Sequence, residues 1–286
     1  MDMKIVYMLA IFTLPLAPIA ASAGFISSEL DLSVEQPSPV PLNEALILHA
    51  RLNFSWGFGA IIPMPLVIYI EAENVPDWLS VSIQPSSFTI TPVGWRGGST
   101  EKDVTITLRA KDEAPAFVTY NVAIHAFTNG SLIVNGAEDK EALNVMQDFH
   151  DAGIFVEHKS VKLSMDESKE VTINVTNNCN SPLYINIQPV NSSKYFDFSF
   201  PSMQIIQSHS TDVIKIGVTA AKKIGKEDVQ LKLEYYPPGH EEKKNFAYTN
   251  ITIESYGKEG SMTAISIGII IVVVASIIIV IWKRKR

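Results

Sequence analysis

The chain has 286 residues, of which 47% are hydrophobic, and its formal net charge is −7. This length suits about two ordinary domains. The single cysteine, Cys179, excludes an intrachain disulfide, and the acidic balance disfavours nucleic acid as a partner.

The first 23 residues have the pattern of a secretory signal peptide. Lys4 precedes an apolar stretch over residues 5–20, and Ala21-Ser22-Ala23 then forms a small-residue cleavage site. Pro15 and Pro18 argue against the alternative, an uncleaved membrane anchor. We therefore expect residues 1–23 to be removed by cleavage after Ala23.

Residues 24–136 contain short stretches in which apolar and polar residues alternate. A period of two predicts half-buried β-strands, and the Gly-, Pro- and Ser-rich clusters between the stretches predict turns. The alternating stretches are residues 30–34, 46–54, 81–83, 104–108 and 120–124. Many short strands at this spacing predict a β-sandwich over residues 24–136.

Residues 137–152 are charged and mixed, without clean alternation. Three interpretations stay open for this segment: a short helix, a linker between two domains, or the final strand of the first sandwich. The boundary between the domains is therefore expected near residues 136–152.

Residues 153–255 repeat the pattern of the first domain and predict a second sandwich. Their alternating stretches are residues 171–175, 183–187, 196–200, 214–218, 229–235 and 251–253. Residues 79–85 and 99–110 match residues 196–201 and 210–220, because both pairs of segments predict strands separated by a proline turn and a polar turn. The match predicts tandem repetition of one unit; the alternative is the general likeness between any two β-sandwiches.

Two segments resemble a known group of extracellular modules. They are VPDWLSVSIQP from Val75 to Pro85, and VKLSMDESKEVTINVTNN from Val161 to Asn178. Both are similar to bacterial and archaeal cell-adhesion-related Ig-like domains, a group that includes a sandwich found beside glycosidase domains. The resemblance covers about residues 24–255. It implies seven-stranded Ig-like sandwiches that act as stalk, spacer or binding module, and it carries no functional residue over to this chain.

The C-terminal end has the pattern of a membrane anchor. Residues 256–261 form a short hinge, and residues 262–282 then run without a charged side chain. A helix of that length spans about 30 Å, the thickness of the hydrocarbon core of a bilayer. The basic tail at residues 283–286 predicts a cytoplasmic C-terminus and an N-terminus outside the cell. The small residues on one face of this helix, suited to helix association, are Ala264, Gly268 and Ala275.

Five Asn-x-Ser/Thr sequons are candidate glycosylation sites: Asn53, Asn129, Asn174, Asn191 and Asn250. Asn53, Asn174 and Asn250 fall on the polar phase of predicted strands, whereas Asn129 and Asn191 fall in predicted turns. All five are expected to face solvent, as a glycan requires. The alternative is that they are unmodified surface asparagines.

Two tryptophans flanked by glycine are candidate binding residues. Trp56 stands in Trp-Gly-Phe-Gly and Trp95 in Gly-Trp-Arg-Gly-Gly, so both rings are expected near loops. Exposed tryptophans stack on sugars or anchor protein interfaces. The alternative is that both rings pack over one end of a sandwich. Trp78, which follows Val-Pro-Asp, is predicted to be a core residue.

No metal site and no catalytic site is expected. Asp148, His150, Asp151 and His158 match no ligand spacing on one strand or one helical turn, so we interpret them as surface residues. The sequence has no Gly-x-Ser-x-Gly, His-Glu-x-x-His or phosphate-binding glycine loop. A glycosidase with carboxylates distant in sequence is the alternative, although two small sandwiches leave little room for a cleft. Cys179 is interpreted as an incidental thiol, with an intermolecular disulfide as the alternative.

These patterns predict an all-β protein with two tandem Ig-like β-sandwiches and one C-terminal transmembrane α-helix. We expect a non-enzymatic, single-pass cell-membrane protein without a cofactor. It is expected to present both modules outside the cell for adhesion, protein contact or scaffolding, with the membrane and a protein or surface glycan as partners. The alternatives are an accessory subunit of a transport, secretion or surface-layer complex, and a carbohydrate-binding surface protein.

Overall fold

The computed structural model describes residues 24–257, which form two compact units. The first unit ends at Asp148 and the second begins at Phe149. Within the described residues, no helix is both long and apolar enough to cross a membrane. The predicted features outside the described residues are the signal peptide at 1–23, the transmembrane helix at 262–282 with Ala264, Gly268 and Ala275, and the basic tail at 283–286.

The first unit is a sandwich of two four-stranded sheets. Its strands are β1 (Ser28–Val34), β2 (Ala45–Trp56), β3 (Leu66–Glu73), β4 (Leu79–Gln84), β5 (Ser87–Ile90), β6 (Gly98–Ala110), β7 (Tyr120–Thr128) and β8 (Ala137–Val145). One sheet has the order β1-β2-β6-β4 and the other the order β5-β3-β7-β8. Neighbouring strands in both sheets pair antiparallel.

The second unit is a sandwich of a four-stranded and a five-stranded sheet. Its strands are β9 (Ile154–Val156), β10 (Lys159–Ser164), β11 (Ser168–Asn177), β12 (Leu183–Pro189), β13 (Phe196–Ser199), β14 (Gln204–Ile206), β15 (Ser210–Ala220), β16 (Lys226–Tyr236) and β17 (Asn245–Tyr256), with a 3₁₀ turn at Glu241–Lys243. The sheets have the orders β9-β11-β15-β13 and β14-β12-β16-β17-β10. The pair β10–β17 is parallel.

The two units share one strand order. The sheet β1-β2-β6-β4 corresponds to β9-β11-β15-β13, and β5-β3-β7-β8 corresponds to β14-β12-β16-β17. The register agrees as well, because Leu79 pairs with Ala110 in the first unit and Phe196 pairs with Ala220 in the second. These are the segments whose sequences match, so the two units share strand order and register, and tandem repetition stays a prediction.

This strand order is that of an Ig-like sandwich, which places strands A, B, E and D in one sheet and C, F and G in the other. The predicted all-β, Ig-like class is therefore confirmed. The seven strands per domain implied by the resemblance are too few, since the first unit has eight and the second nine. After β4 and β13 the chain crosses to the opposite sheet as β5 and β14, near Pro85 and Pro201. Neither proline has an N–H that could continue the first ladder.

Each unit encloses its own hydrophobic core. Along β2, for example, Leu52 and Phe54 are buried whereas Arg51 is exposed, as alternation along a strand requires. Trp78 is 7% exposed and lies in the core of the first unit, which confirms its predicted position.

Residues 137–152 contain the final strand of the first unit. Strand β8 pairs with β7 along its whole length, so of the three interpretations the structure forms a strand over Ala137–Val145. The first unit ends at Asp148, within the boundary expected near residues 136–152. Only Leu143 and Val145 of β8 are buried. Asp139 and Glu141 occupy the same inward-facing phase of the strand, and these charged residues hide the alternation.

Candidate functional site: an apolar loop tip

Three loops and residues 24–27, which precede β1, meet at one end of the first unit. Strand pairing brings them together, because Trp56 opposes both Ser28 and Gly98, and Leu66 opposes Ile90. The four segments, which we call the apolar tip, are residues 24–27, 57–65, 91–97 and 129–136.

Large apolar side chains of the apolar tip face solvent. Seven of them expose between 54% and 92% of their surface: Phe25, Phe58, Ile61, Ile62, Val93, Trp95 and Leu132. Exposed large apolar residues gathered at one end of a domain, unlike those scattered singly over a surface, are typical of an interaction site.

Backbone hydrogen bonds join the first two loops of the tip. The Gly59 N–H donates to the Trp95 carbonyl at 3.0 Å, and the Gly94 N–H donates to the Ala60 carbonyl at 2.7 Å. The rings of Phe58 and Trp95 meet edge to face, with centroids 4.3 Å apart. Ala60 is fully buried and packs in the core, so it anchors these two loops.

The first described residues join the third loop in the same way. The Phe25 and Ile26 N–H groups both donate to the Ile133 carbonyl at 2.9 Å, and the Asn135 N–H donates to the Ile26 carbonyl at 2.9 Å. Ile26 and Val134 are buried in the core. The exposed side chains of the tip are therefore mounted on ordered backbone.

Gly97 permits a close approach between the second loop and the end of β2. Its φ of +86° lies in the left-handed region, and a Cβ there would lie 2.5 Å from the Trp56 carbonyl oxygen. Any other residue at this position would displace the loop that carries Trp95.

The two candidate tryptophans occupy different positions. Trp95 is 58% exposed and presents its ring on a loop. Trp56 is half-buried, packs against the core with its ring 6.1 Å from that of Phe54, and lies close over Gly98. Trp56 thus follows the alternative interpretation, packing over the sandwich end, and Trp95 remains the candidate binding residue.

The apolar tip is nearly free of charge. Arg96 is the one charged residue in its four segments, whereas the whole chain carries 30 acidic and 23 basic residues. Arg96 is exposed beside Trp95. The tip therefore differs in character from the acidic remainder of the molecule.

The five sequon asparagines differ in accessibility. Asn129, Asn174, Asn191 and Asn250 are exposed, and Asn53 is half-buried in β2 between β1 and β6. The Asn174 amide donates to Glu157 at 2.8 Å. Asn129 lies in the third loop of the apolar tip. Glycosylation of these residues stays a prediction.

His150 and His158 make separate contacts in the second unit. The His150 N–H donates to the Asn180 amide oxygen at 2.8 Å, while His158 Nε2 lies 3.4 Å from the Thr252 hydroxyl. Asp151 instead accepts hydrogen bonds from other side chains of the second unit.

Asp151 is the acceptor for several donors near the buried thiol. The Gly153 N–H donates to it at 2.9 Å, the Tyr235 hydroxyl at 3.2 Å and the Asn245 amide at 2.5 Å. The Cys179 Sγ lies 3.4 Å from the same carboxylate. Cys179 is fully buried, so an intermolecular disulfide is excluded while the second unit is folded.

We expect the second unit to lose stability above about pH 9. Burial, with Asp151 close by, raises the pKa of Cys179 to about 12, and the same causes raise the pKa of Tyr235 above its ordinary value. The unfolded thiol ionises near pH 8.5. Between roughly pH 9 and 12 the unfolded thiol therefore holds fewer protons than the folded one, and the free energy of unfolding falls by up to about 1.4 kcal/mol per pH unit. Tyr235 adds to this fall above about pH 10.

Urea unfolding followed by circular dichroism at about pH 7 and about pH 10.5 measures this effect. The matched variant Cys179→Ala keeps Tyr235 and is expected to show a smaller loss. An equal free energy of unfolding at both pH values would contradict the raised pKa of Cys179 and of Tyr235 in the folded unit.

One ionic cluster lies on the outer face of β3, β7 and β8. His125 Nδ1 lies 2.9 Å from Glu73 and 3.9 Å from Glu71, and Lys140 Nζ lies 2.6 Å from Glu73. Hydrogen bonding by Lys140, and then by His125, lowers the pKa of Glu73. Glu71, Glu73 and His125 could share a cation, but Lys140 already places a positive charge at Glu73. The cluster therefore links three neighbouring strands through the Lys140–Glu73 ion pair and the contact between His125 and Glu73.

No protein-family model matches the chain, and no curated protein matches its sequence. Among solved structures, the CupB6 tip adhesin from Pseudomonas aeruginosa shows 12% identity over 79% of this chain and 99% of its own, with a TM-score of 0.31. The PapD-like domain 7 of human CEP192 shows 14% identity over 37% of this chain and 86% of its own, with a TM-score of 0.31. The YadV chaperone shows 14% identity over 76% and 99%, with a TM-score of 0.25.

These likenesses are too weak to define a family or an activity for this chain. Its class follows from its own strands: it is a protein of two Ig-like β-sandwiches. The first of them carries an exposed apolar tip.

Proposed function

We propose that this protein is a non-enzymatic cell-envelope protein that presents two Ig-like modules outside the membrane and makes contact through the apolar tip of the first. The observation that carries the proposal is the gathering of seven exposed apolar side chains on ordered loops at one end of a sandwich. Apolar surface of this extent marks a contact site in a soluble domain. Loops mounted on a rigid sandwich are also where such folds carry binding residues.

The placement outside the cell is supported by the two ends of the sequence. Residues 1–23 have the pattern of a signal peptide, and residues 262–282 form an uncharged run followed by a basic tail. An anchor of this kind holds both modules on the outer side of the membrane, with the C-terminus in the cytoplasm.

The composition of the tip favours an apolar partner over a sugar. A sugar site combines a ring for stacking with convergent polar groups for the hydroxyls. Here the Trp95 ring packs edge to face against Phe58. The residues near the two rings in the sequence are mostly aliphatic. The accessory-subunit alternative requires a stable protein partner, and the tip is where the first module would accept one.

We expect a photo-cross-linker at the tip to capture a contact partner. Val93→Cys in the full-length chain can be labelled alone with a benzophenone maleimide, because Cys179 is buried and its pKa is raised. Labelled protein made without glycans, mixed with native membranes and irradiated, is expected to give several-fold more adduct than the control. The adducts are measured by mass spectrometry.

The matched control is Val213→Cys in the second unit. Val93 is 54% exposed and Val213 is 53% exposed, so the two probes have the same access to solvent. Equal adduct yields at the two positions would contradict a contact role for the tip.

A further inference from the structure

We infer that the apolar tip docks on a lipid bilayer, with its aromatic and aliphatic side chains entering the interfacial layer. The inference rests on the proposed contact role and names the partner. Phe25, Phe58, Trp95 and Leu132 are residue types that segments at the membrane interface bury. A bilayer accepts such a set without a complementary shape, which suits side chains that protrude from four separate segments.

Hydrogen bonds inside the tip satisfy part of its backbone. Hydrocarbon offers no hydrogen bonds, so each backbone group that is paired within the protein lowers the cost of leaving water. The Gly59 and Gly94 N–H groups are paired between the first two loops, and the Ser131 N–H donates within the third loop to the Val134 carbonyl at 2.8 Å.

Prolines reduce the number of donors further. Pro63, Pro65 and Pro92 lie in the first two loops, and a proline has no N–H to desolvate. These three positions therefore add no backbone donor to the tip, and Arg96 is the one charged residue of its four segments.

The single charge of the tip has the sign that a phospholipid surface favours. Arg96 is exposed next to Trp95, and a guanidinium on a long apolar stem can reach a headgroup phosphate while its neighbours enter the interface. The chain as a whole has a net charge of −7, so general attraction to anionic lipid does not drive the contact. Docking is therefore expected on neutral phosphatidylcholine and with little dependence on salt.

The test uses the full-length chain, made without glycans because Asn129 lies in the tip, and reconstituted in phosphatidylcholine vesicles. A fluorophore is attached at Val93→Cys, and brominated phosphatidylcholine serves as the quencher. The quencher is placed in the protein's own vesicles in one arm and in added protein-free vesicles in the other. Quenching in either arm supports docking and shows which bilayer is contacted.

Two controls make the result specific. The fluorophore at Val213→Cys, equally exposed on the second unit, is expected to remain unquenched in the same arm. Phe58→Ser combined with Trp95→Ser is expected to weaken docking by about tenfold, because two large apolar side chains no longer leave water. Both rings are exposed, so an unchanged unfolding transition shows that this variant folds.

Absence of quenching in both arms overturns the inference. If benzophenone at Val93→Cys then captures a protein, the contact role stands and the lipid partner is wrong. If it captures nothing beyond the Val213→Cys control, the contact role fails too.

Discussion

Replacement of Asn177 by Asp is expected to lower the free energy of unfolding of the second unit by about 3–5 kcal/mol. Asn177 is fully buried, and its amide nitrogen donates to the carbonyls of Ser181, Ile206 and Gln207 at 2.9, 3.2 and 3.0 Å. Its amide oxygen accepts the Cys179 N–H at 2.9 Å. A carboxylate would face three carbonyl oxygens, and even a protonated carboxyl could donate to only one of them.

The reactivity of Cys179 with a thiol reagent in increasing urea measures this effect. Since Cys179 is the one cysteine and is buried in the core of the second unit, its exposure reports the unfolding of that unit. The matched control is Asn178→Asp, which changes the adjacent, exposed asparagine in the same way and is expected to act within about 0.5 kcal/mol. Equal losses in both variants would show that the charge itself, rather than the buried amide, is responsible.

Alternation predicts a strand when one face is apolar and the other polar. This held for β2, β6 and β15, whose outward residues are polar enough to show the period. Strand β3 gave no such signal, because Leu66, Ile68 and Ile70 are buried while Val67 and Tyr69 between them are apolar and exposed.

The candidate site could be predicted only in part. The glycines around Trp95 correctly indicated an exposed ring. The glycine next to Trp56 indicated an exposed ring there too, but Trp56 packs against the core. Phe25 and Leu132 gave no signal, since they join Trp95 only through the pairing of segments distant in sequence. Strand pairing is a property of the whole sheet, and a single sequence does not specify it.

The sequence pattern also did not identify the buried polar residues. Asn177 stands in Asn-Asn-Cys-Asn, which has the composition of a polar turn, and its neighbour Asn178 is indeed exposed. Only the three carbonyls converging on the Asn177 side chain distinguish the buried amide from the exposed one. Asp151, by contrast, is exposed as its surface assignment predicted, although its carboxylate accepts a hydrogen bond from Tyr235.

Replacement of Phe54 by Ala is expected to lower the free energy of unfolding of the first unit by about 3–5 kcal/mol. Phe54 is fully buried on β2, the strand between β1 and β6, where it opposes Leu30 and Thr100. Its ring also supports Trp56, the residue that closes the core beneath the apolar tip. Removal of the ring leaves a cavity that the two paired neighbouring strands cannot easily fill.

Phe58→Ala provides the matched control, because the same atoms are removed from a ring that is 61% exposed at the tip, where a change within about 0.5 kcal/mol is expected. Tryptophan fluorescence in urea follows the first unit, which contains Trp56, Trp78 and Trp95. The transition of Cys179 exposure should stay in place in the Phe54→Ala variant, since each unit has its own core. If both transitions moved together, the two units would unfold as one cooperative body, and their separate cores would not act independently.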